Sequence, residues 1–286
     1  MLIPESLRSA LIGLVLFMAV FVSGALGEEG PAKPGDKTDS GSAAGNPAVT
    51  PAPREAGPVK PGEKADVAPA ADNPAVKPAP RRDHYWLRRH AANVARARQG
   101  GIDVLFIGDS ITDWWSGPGR AVWEKEFAPL NAANFGISAD QTQHVLARLN
   151  DGELEGIAPK AVLLLIGTNN LKSGPTRMAP QHTAAGVRAI VELVKTKLPR
   201  TRVLVLGILP RQPEYEWMSE AIRQTNALLK ELADGGRVRF LDFGAKLLQP
   251  DGSFSRQIMP DLLHLSAAGY QIWADAVREP VREMLK

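Results

Sequence analysis

Residues 104–115 read VLFIGDSITDWW, an apolar run that leads into Gly108-Asp109-Ser110. This pattern is typical of a buried strand that turns directly into a helix. A serine at such a turn has two interpretations, since it can cap the helix or act as a nucleophile. The twelve residues alone leave both interpretations open, so the rest of the chain has to separate them.

The N-terminus of the 286-residue chain differs from everything that follows it. Residues 10–27 form an apolar run that follows Arg8 and ends in small residues, with Ala25 and Gly27 suited to a cleavage site. Residues 1–27 are therefore expected to be a signal peptide, or an uncleaved anchor in a membrane. Either interpretation predicts that the remainder of the protein is exported.

Composition excludes several classes of function. The chain has no cysteine, which excludes disulfides, a thiolate nucleophile and a cysteine-based zinc site. Its formal net charge is only +3, and no dense block of Lys and Arg indicates a nucleic-acid partner.

Residues 28–81 are a tandem duplication. Residues 28–54 and 55–81 align without gaps and match at 18 of 27 positions. Proline, alanine and glycine dominate, and no period is present that could bury an apolar face. We expect a disordered linker. It is either a spacer that holds a domain away from a membrane or cell wall, or a neutral expansion.

The remaining residues, 82–286, are expected to form one domain. Apolar runs predict strands at 103–108, 131–135, 160–166, 202–208 and 237–241, and helical patterns lie near 84–99, 120–127, 140–149, 181–198, 215–234 and 266–284. Strands that alternate with helices predict α/β topology, here a three-layer α/β/α sandwich around a five-stranded, mainly parallel sheet. The last run alternates, which favours an edge strand.

Polar residues follow four of these strands. They are Ser110, Gly136, Asn169 and the pair Asp261 and His264. In parallel sheets the carboxyl ends of the strands form the ligand-binding edge, so we expect these residues to converge there. This convergence favours the nucleophile interpretation of Ser110.

Each residue type has a chemical reason to be at such an edge. A serine hydroxyl needs a base, which His264 can be, and Asp261 three residues earlier can orient the imidazole. An ester oxyanion needs donors, which the backbone N–H groups of Ser110 and Gly136 and the Asn169 amide can provide.

Further residues are candidates for binding the substrate. They are Asp109, Trp114, Asn170 and Arg211, although Asp109 also suits a structural hydrogen bond. His144 is expected to make a structural contact. No paired-histidine or acidic motif at ligand spacing is present, and no glycine-rich phosphate loop follows a strand, so we predict no metal and no cofactor.

These residues, in this order, resemble the blocks of the SGNH (GDSL-type) esterase and lipase family. The stretches NFGISADQTQHVLARLNDGEL and LIGTNN are similar to the branch that contains platelet-activating-factor acetylhydrolase catalytic subunits and bacterial acetylesterases. The resemblance covers about residues 84–285. It implies a flavodoxin-like sandwich and ester hydrolysis without a cofactor.

The sequence therefore predicts an exported serine esterase that removes short acyl groups, acetyl above all, from a small-molecule or carbohydrate ester. A lipase, a phospholipid acetylhydrolase or a thioesterase of the same family is the alternative. A different class also stays open, namely a tethered glycan-binding module without catalysis. The sequence does not decide the oligomeric state.

Overall fold

The computed structural model describes residues 73–172, 177–211 and 216–286. The predicted signal peptide or anchor lies outside the described residues, and so does the predicted linker up to residue 72.

The five predicted strands form one sheet in which every pair is parallel. The spatial order is β2-β1-β3-β4-β5. The bounds are β1 Val104–Gly108, β2 Ala132–Gly136, β3 Ala161–Leu165, β4 Arg202–Leu206 and β5 Val238–Leu241. The partly exposed β5 pairs with β4 at the edge, as its alternating sequence indicated.

Eight α-helices surround the sheet within the described residues. They are α1 His84–Arg98, α2 Ser110–Asp113, α3 Arg120–Glu126, α4 Thr142–Arg148, α5 Thr168–Leu171, α6 Pro180–Lys197, α7 Glu216–Lys230 and α8 Ala267–Leu285. Among these described helices, none combines the length and the apolar character needed to cross a membrane.

Apolar side chains on both faces of the sheet explain the three layers. On β1, Leu105 and Ile107 pack in a cluster with residues of α4, α6 and α7, whereas Val104 and Phe106 pack with residues of α3 and α8. Successive side chains of a strand point to opposite faces, so one short strand contributes to both cores. The predicted α/β/α sandwich is confirmed.

The strand order places the ends of β1, β2 and β3 at one point of the sheet edge. From β1 the chain passes to β2 on one side and then crosses to β3 on the other. Such a reversal opens a crevice at the carboxyl end of the first strand, and the helices that follow adjacent strands diverge there. Ser110, which follows β1, therefore lies at the position that topology favours for a ligand.

Folded structure begins earlier than the sequence predicted. The expected boundary was near Arg82, but residues 73–83, here called the arm, pack on the domain. Ala75 is fully buried, and its carbonyl accepts a hydrogen bond from Thr142 Oγ1 at 2.9 Å. The Asn73 amide donates to the His182 carbonyl at 3.2 Å. The arm is held by hydrogen bonds of backbone and side-chain groups and by one small buried side chain, which explains why no apolar period revealed it.

We predict that Ala75→Asp lowers the stability of the whole domain. An aspartate there must either bury an unpaired carboxylate or displace the arm, and we expect a loss of about 2 kcal/mol in the free energy of unfolding. Urea unfolding followed by circular dichroism measures it. Ala79→Asp, at an exposed position of the same arm, is the matched control. Equal stability of the two variants would contradict the packing of the arm.

Candidate active site

Ser110 is the first residue of α2, at the turn that follows β1. The Asp109 carboxylate caps this helix by accepting a hydrogen bond from the Ile111 N–H at 3.0 Å. The turn is tight, because a Cβ added to Gly108 would lie 2.1 Å from Thr112 Oγ1 in the helix that follows. The cap is thus Asp109, which leaves the Ser110 hydroxyl available to the site.

Ser110, His264 and Asp261 form one chain of hydrogen bonds. His264 Nε2 lies 2.9 Å from Ser110 Oγ, and His264 Nδ1 lies 2.6 Å from Asp261 Oδ2. The distances fit a nucleophile, a base and an orienting carboxylate. The structure therefore brings together the three residues that the sequence proposed.

Asp261 and His264 are joined by a turn of the backbone rather than by a helix. Leu262 between them has a φ of 59°, and the Asp261 Oδ1 atom accepts the His264 backbone N–H at 2.6 Å. Partial burial raises the pKa of Asp261, but hydrogen bonds from the His264 side chain and backbone outweigh it and hold this pKa below its usual value. The carboxylate therefore stays ionised beside the imidazole.

Trp114 lies against the imidazole. Its ring stacks on that of His264 with a centroid distance of 4.1 Å and an angle of 19° between the planes. The indole is 38% exposed, so it borders the site as well as covering one face of His264. An aromatic face attracts a cation, which favours the imidazolium that a base becomes.

Gly136 does not present its N–H to the site as expected. Its N–H donates to Asn134 Oδ1 at 2.9 Å. A Cβ on Gly136 would lie 2.3 Å from the Asp113 nitrogen, so the absence of a side chain lets β2 approach α2 closely. This glycine is explained by packing, and the expected oxyanion donor has to be sought elsewhere.

Ala139 offers a free N–H, which Gly136 does not. It lies in residues 137–140, here called the site loop, with a φ of 66°, and its N–H meets no protein acceptor among the described residues. The neighbouring Asp140 carbonyl accepts the Asn169 Nδ2 at 3.0 Å, which orients this predicted amide donor. The Ser110 N–H likewise has no acceptor in the described part of the chain.

Charged residues that sequence reasoning missed hold the site loop from two sides. Asp113 Oδ2 accepts hydrogen bonds from the Ser138 N–H at 3.1 Å and from the Ser138 hydroxyl at 2.8 Å. The other oxygen of this carboxylate forms an ion pair with Arg89 at 3.1 Å. Tyr85 donates its hydroxyl to the same carboxylate. Helix α1 thereby contacts the loop through α2.

The second anchor is a buried cluster around Arg148. The fully buried guanidinium donates to Asp140 Oδ2 at 2.8 Å, to the Gly108 carbonyl at 3.2 Å and to Glu153. Burial raises the pKa of Asp140 to about 6, although Arg148 opposes this shift. An arginine inside the apolar pattern of α4 was the available signal in the sequence.

His144 makes a structural contact, as the sequence indicated. Its Nδ1 accepts the Gln141 N–H at 3.0 Å at the start of α4. Burial, with Arg81 and Arg148 nearby, lowers the pKa of His144 to about 4. The imidazole is therefore neutral and fit to accept this hydrogen bond.

Three of the four candidate substrate-binding residues are buried. Asp109 is the helix cap described above. Asn170 accepts the Thr142 N–H at 3.1 Å and positions α4, so the expectation that it binds substrate is corrected. The Arg211 guanidinium donates to Thr168 Oγ1 at 3.0 Å, inside the edge of the sheet rather than in solvent. Trp114 is the one that borders the opening.

In the described ranges, no group of three or more His, Cys, Asp or Glu side chains is arranged to hold a metal ion. The predictions of no metal and no cofactor stay predictions.

Comparisons with known proteins agree with this geometry. The profile of the GDSL-like Lipase/Acylhydrolase family matches residues 106–272. The human platelet-activating factor acetylhydrolase IB subunit alpha1 is 42% identical over 189 residues, which cover 66% of this chain and 79% of that protein. The rat subunit alpha2 is 35% identical over 205 residues, covering 71% of this chain and 86% of its own.

Solved structures share the fold. A GDSL-like lipase from Bacteroides thetaiotaomicron has a TM-score of 0.55 at 18% identity, over 70% of this chain and 98% of that one. An acetylxylan esterase from Geobacillus stearothermophilus has a TM-score of 0.52 at 21% identity, over 64% of this chain and 94% of that one.

We predict that Asp109→Asn stabilises the protein at high pH. Burial raises the pKa of Asp109 to about 7, aided by Asp140 and opposed by the Ile111 N–H and Arg211. Between about pH 4, where an unfolded aspartate titrates, and pH 7, the folded state keeps a proton that the unfolded state has lost. Stability from this group therefore falls as pH rises through that window.

Asparagine can still cap the helix but cannot ionise, so the variant escapes this loss. Urea unfolding at pH 5 and pH 8 measures the free energy of unfolding of both proteins. The difference in favour of the variant should be larger at pH 8 than at pH 5. An advantage that is independent of pH would contradict the raised pKa.

Proposed function

Because the chain belongs to the GDSL-like lipase/acylhydrolase family, an ester-bond hydrolase family, we propose that it is a serine esterase that removes acetyl groups. The hydrogen-bonded chain Ser110–His264–Asp261 is the observation that carries this proposal. A module that only binds glycans would have no need for a base placed 2.9 Å from a serine hydroxyl.

In the proposed mechanism, Ser110 Oγ attacks the ester carbonyl while His264 Nε2 takes its proton. Asp261 stabilises the imidazolium through Nδ1, and Trp114 does so through its ring face. The tetrahedral intermediate expels the alcohol, which receives the proton from His264. A water molecule, deprotonated by His264, then attacks the acyl-serine. The second tetrahedral intermediate breaks its bond to Ser110 Oγ, His264 returns the proton to that oxygen, and the acid is released.

We assign the oxyanion to three donors. They are the backbone N–H groups of Ser110 and Ala139 and the Asn169 Nδ2. The free N–H groups of the first two support this assignment, and so does the contact between Asn169 and the site loop. Ala139 thus takes the role first expected of Gly136.

The relatives support acetyl as the acyl group. Two proteins 42% and 35% identical to this chain are acetylhydrolases by name. For the alcohol, we propose a polar acceptor such as a carbohydrate. Among the described residues, the exposed large hydrophobic side chains are Tyr85, Leu87 and Trp114, which is a small apolar surface for binding lipid.

An acetylated phospholipid is the second candidate substrate, and the names of the same relatives favour it. We further propose that the domain acts outside the cytoplasm, tethered to a membrane or cell wall by residues 1–72. The apolar run at 10–27 supports this location.

We predict that Ser110→Ala abolishes hydrolysis of an aryl acetate, with kcat reduced by about 10⁴-fold or more, because the nucleophile is lost. The exposed Ser116, which donates to the Asp113 carbonyl, gives the matched control Ser116→Ala. Initial rates measured by release of the aryl alcohol are sufficient. Equal, negligible rates in wild type and Ser110→Ala would favour the binding module instead.

We predict that kcat/KM falls as the acyl chain of an aryl ester lengthens from acetate to octanoate, and that acetylated xylo-oligosaccharides are better substrates than an acetylated phospholipid. Acetate release, measured on purified full-length protein, compares them directly. Highest activity on octanoate would indicate a lipase. Preference for the phospholipid would replace the carbohydrate proposal, and preference for acyl thioesters would indicate a thioesterase.

A further inference from the structure

The site loop contains a turn that its own sequence disfavours. The Asp140 N–H donates to the Ile137 carbonyl at 3.2 Å, which closes a four-residue turn with Ser138 and Ala139 at its centre. Ala139 has a φ of 66°, while Ser138 has a negative φ. This combination defines a type II turn, whose third position normally holds glycine.

An alanine at this position can relax by a simple rotation. Type I and type II turns differ by a flip of the peptide between the two central residues, and type I returns the third residue to negative φ. In this chain the flip would rotate the Ser138–Ala139 peptide. Because a peptide group is planar, turning over the Ser138 carbonyl also reverses the Ala139 N–H. The proposed oxyanion donor would then point away.

Arg81, in the arm, contacts the other end of this same peptide. Its Nη1 donates to the Ser138 carbonyl oxygen at 2.6 Å and lies 3.4 Å from Asp140 Oδ1. Among the described residues, it is the only donor to that carbonyl. Asp83 in turn fixes the guanidinium, accepting from Nε at 2.9 Å.

We propose that Arg81 is a positioning residue that holds the Ser138–Ala139 peptide in the orientation that aims the Ala139 N–H at the oxyanion. A cation on the carbonyl also polarises the peptide, which strengthens its N–H as a donor. The other contacts of the loop do not replace it. Asp113 binds the N–H and hydroxyl of Ser138, and Arg148 binds the Asp140 side chain.

This inference rests on the proposed function, and it gives the arm a role in catalysis. Residues 73–81 are the last nine of the duplicated segment, yet their docking places Arg81 against the site loop. A segment that composition marks as linker thereby completes the site.

The test compares Arg81→Ala, Arg81→Lys and the neighbouring Arg82→Ala in the full chain. Losing an oxyanion donor outright costs about 100- to 1000-fold in rate, so we expect kcat to fall by about 10- to 100-fold in Arg81→Ala. KM should stay within about threefold, because the oxyanion forms only in the transition state. Lysine, which keeps a donor, should recover part of kcat, and the exposed Arg82 should be dispensable.

A second comparison isolates the peptide orientation. Glycine adopts positive φ without strain, so Arg81→Ala should cost much less when it is made in an Ala139→Gly protein and compared with Ala139→Gly itself. Thermal melting checks that every variant is folded at the assay temperature.

Active wild type with an equally active Arg81→Ala would overturn this inference alone, as would an equal cost of Arg81→Ala in both backgrounds. A wild type no faster than Ser110→Ala would overturn the proposed function and this inference with it.

Discussion

The guanidinium of Arg148 is the contact on which the site geometry depends. It is fully buried, and burying a charge is costly unless hydrogen bonds satisfy it. The acceptors come from three separate segments, namely the end of β1 at Gly108, the site loop at Asp140 and the turn at Glu153. All three must be in place at once, so this ion selects one arrangement of Ser110 relative to the proposed oxyanion donors.

The two halves of the site are built in different ways. Ser110 follows a strand buried on both faces, so the hydrophobic core fixes it. The site loop has no regular structure, and charged groups hold it instead, from Asp113 on α2, Arg148 on α4 and Arg81 on the arm. Buried charged groups add little to stability, because removing them from water costs about as much as their attraction returns. Their hydrogen bonds do fix the orientation of the loop, and an oxyanion site requires oriented donors.

The sequence was sufficient for the sheet and for choosing Ser110, His264 and Asp261, which the structure joins by hydrogen bonds, since apolar runs mark buried parallel strands and topology brings their ends together. Its expectation of a free N–H at Gly136 was wrong. Gly136 is a residue type that suggests a free N–H, but this N–H donates to Asn134 Oδ1, and the missing side chain makes room for Asp113. Alanine is not a residue type that suggests such a role, so nothing in the sequence pointed to Ala139. Asn170 was misassigned because it adjoins Asn169 in sequence and yet is fully buried, where its side chain accepts the Thr142 N–H at the start of α4. The arm was missed because isolated polar side chains, backbone groups and the small Ala75 hold it, and these form no apolar period.

The way the arm is attached has a mechanical consequence. A pulling force on the chain before residue 73 acts first on the Asn73–His182 hydrogen bond and on the buried Ala75, several residues before Arg81. These contacts lie on α6 and α4, and they bear such a load before Arg81 does. As long as they hold, tension on the preceding chain does not pull Arg81 away from the Ser138 carbonyl.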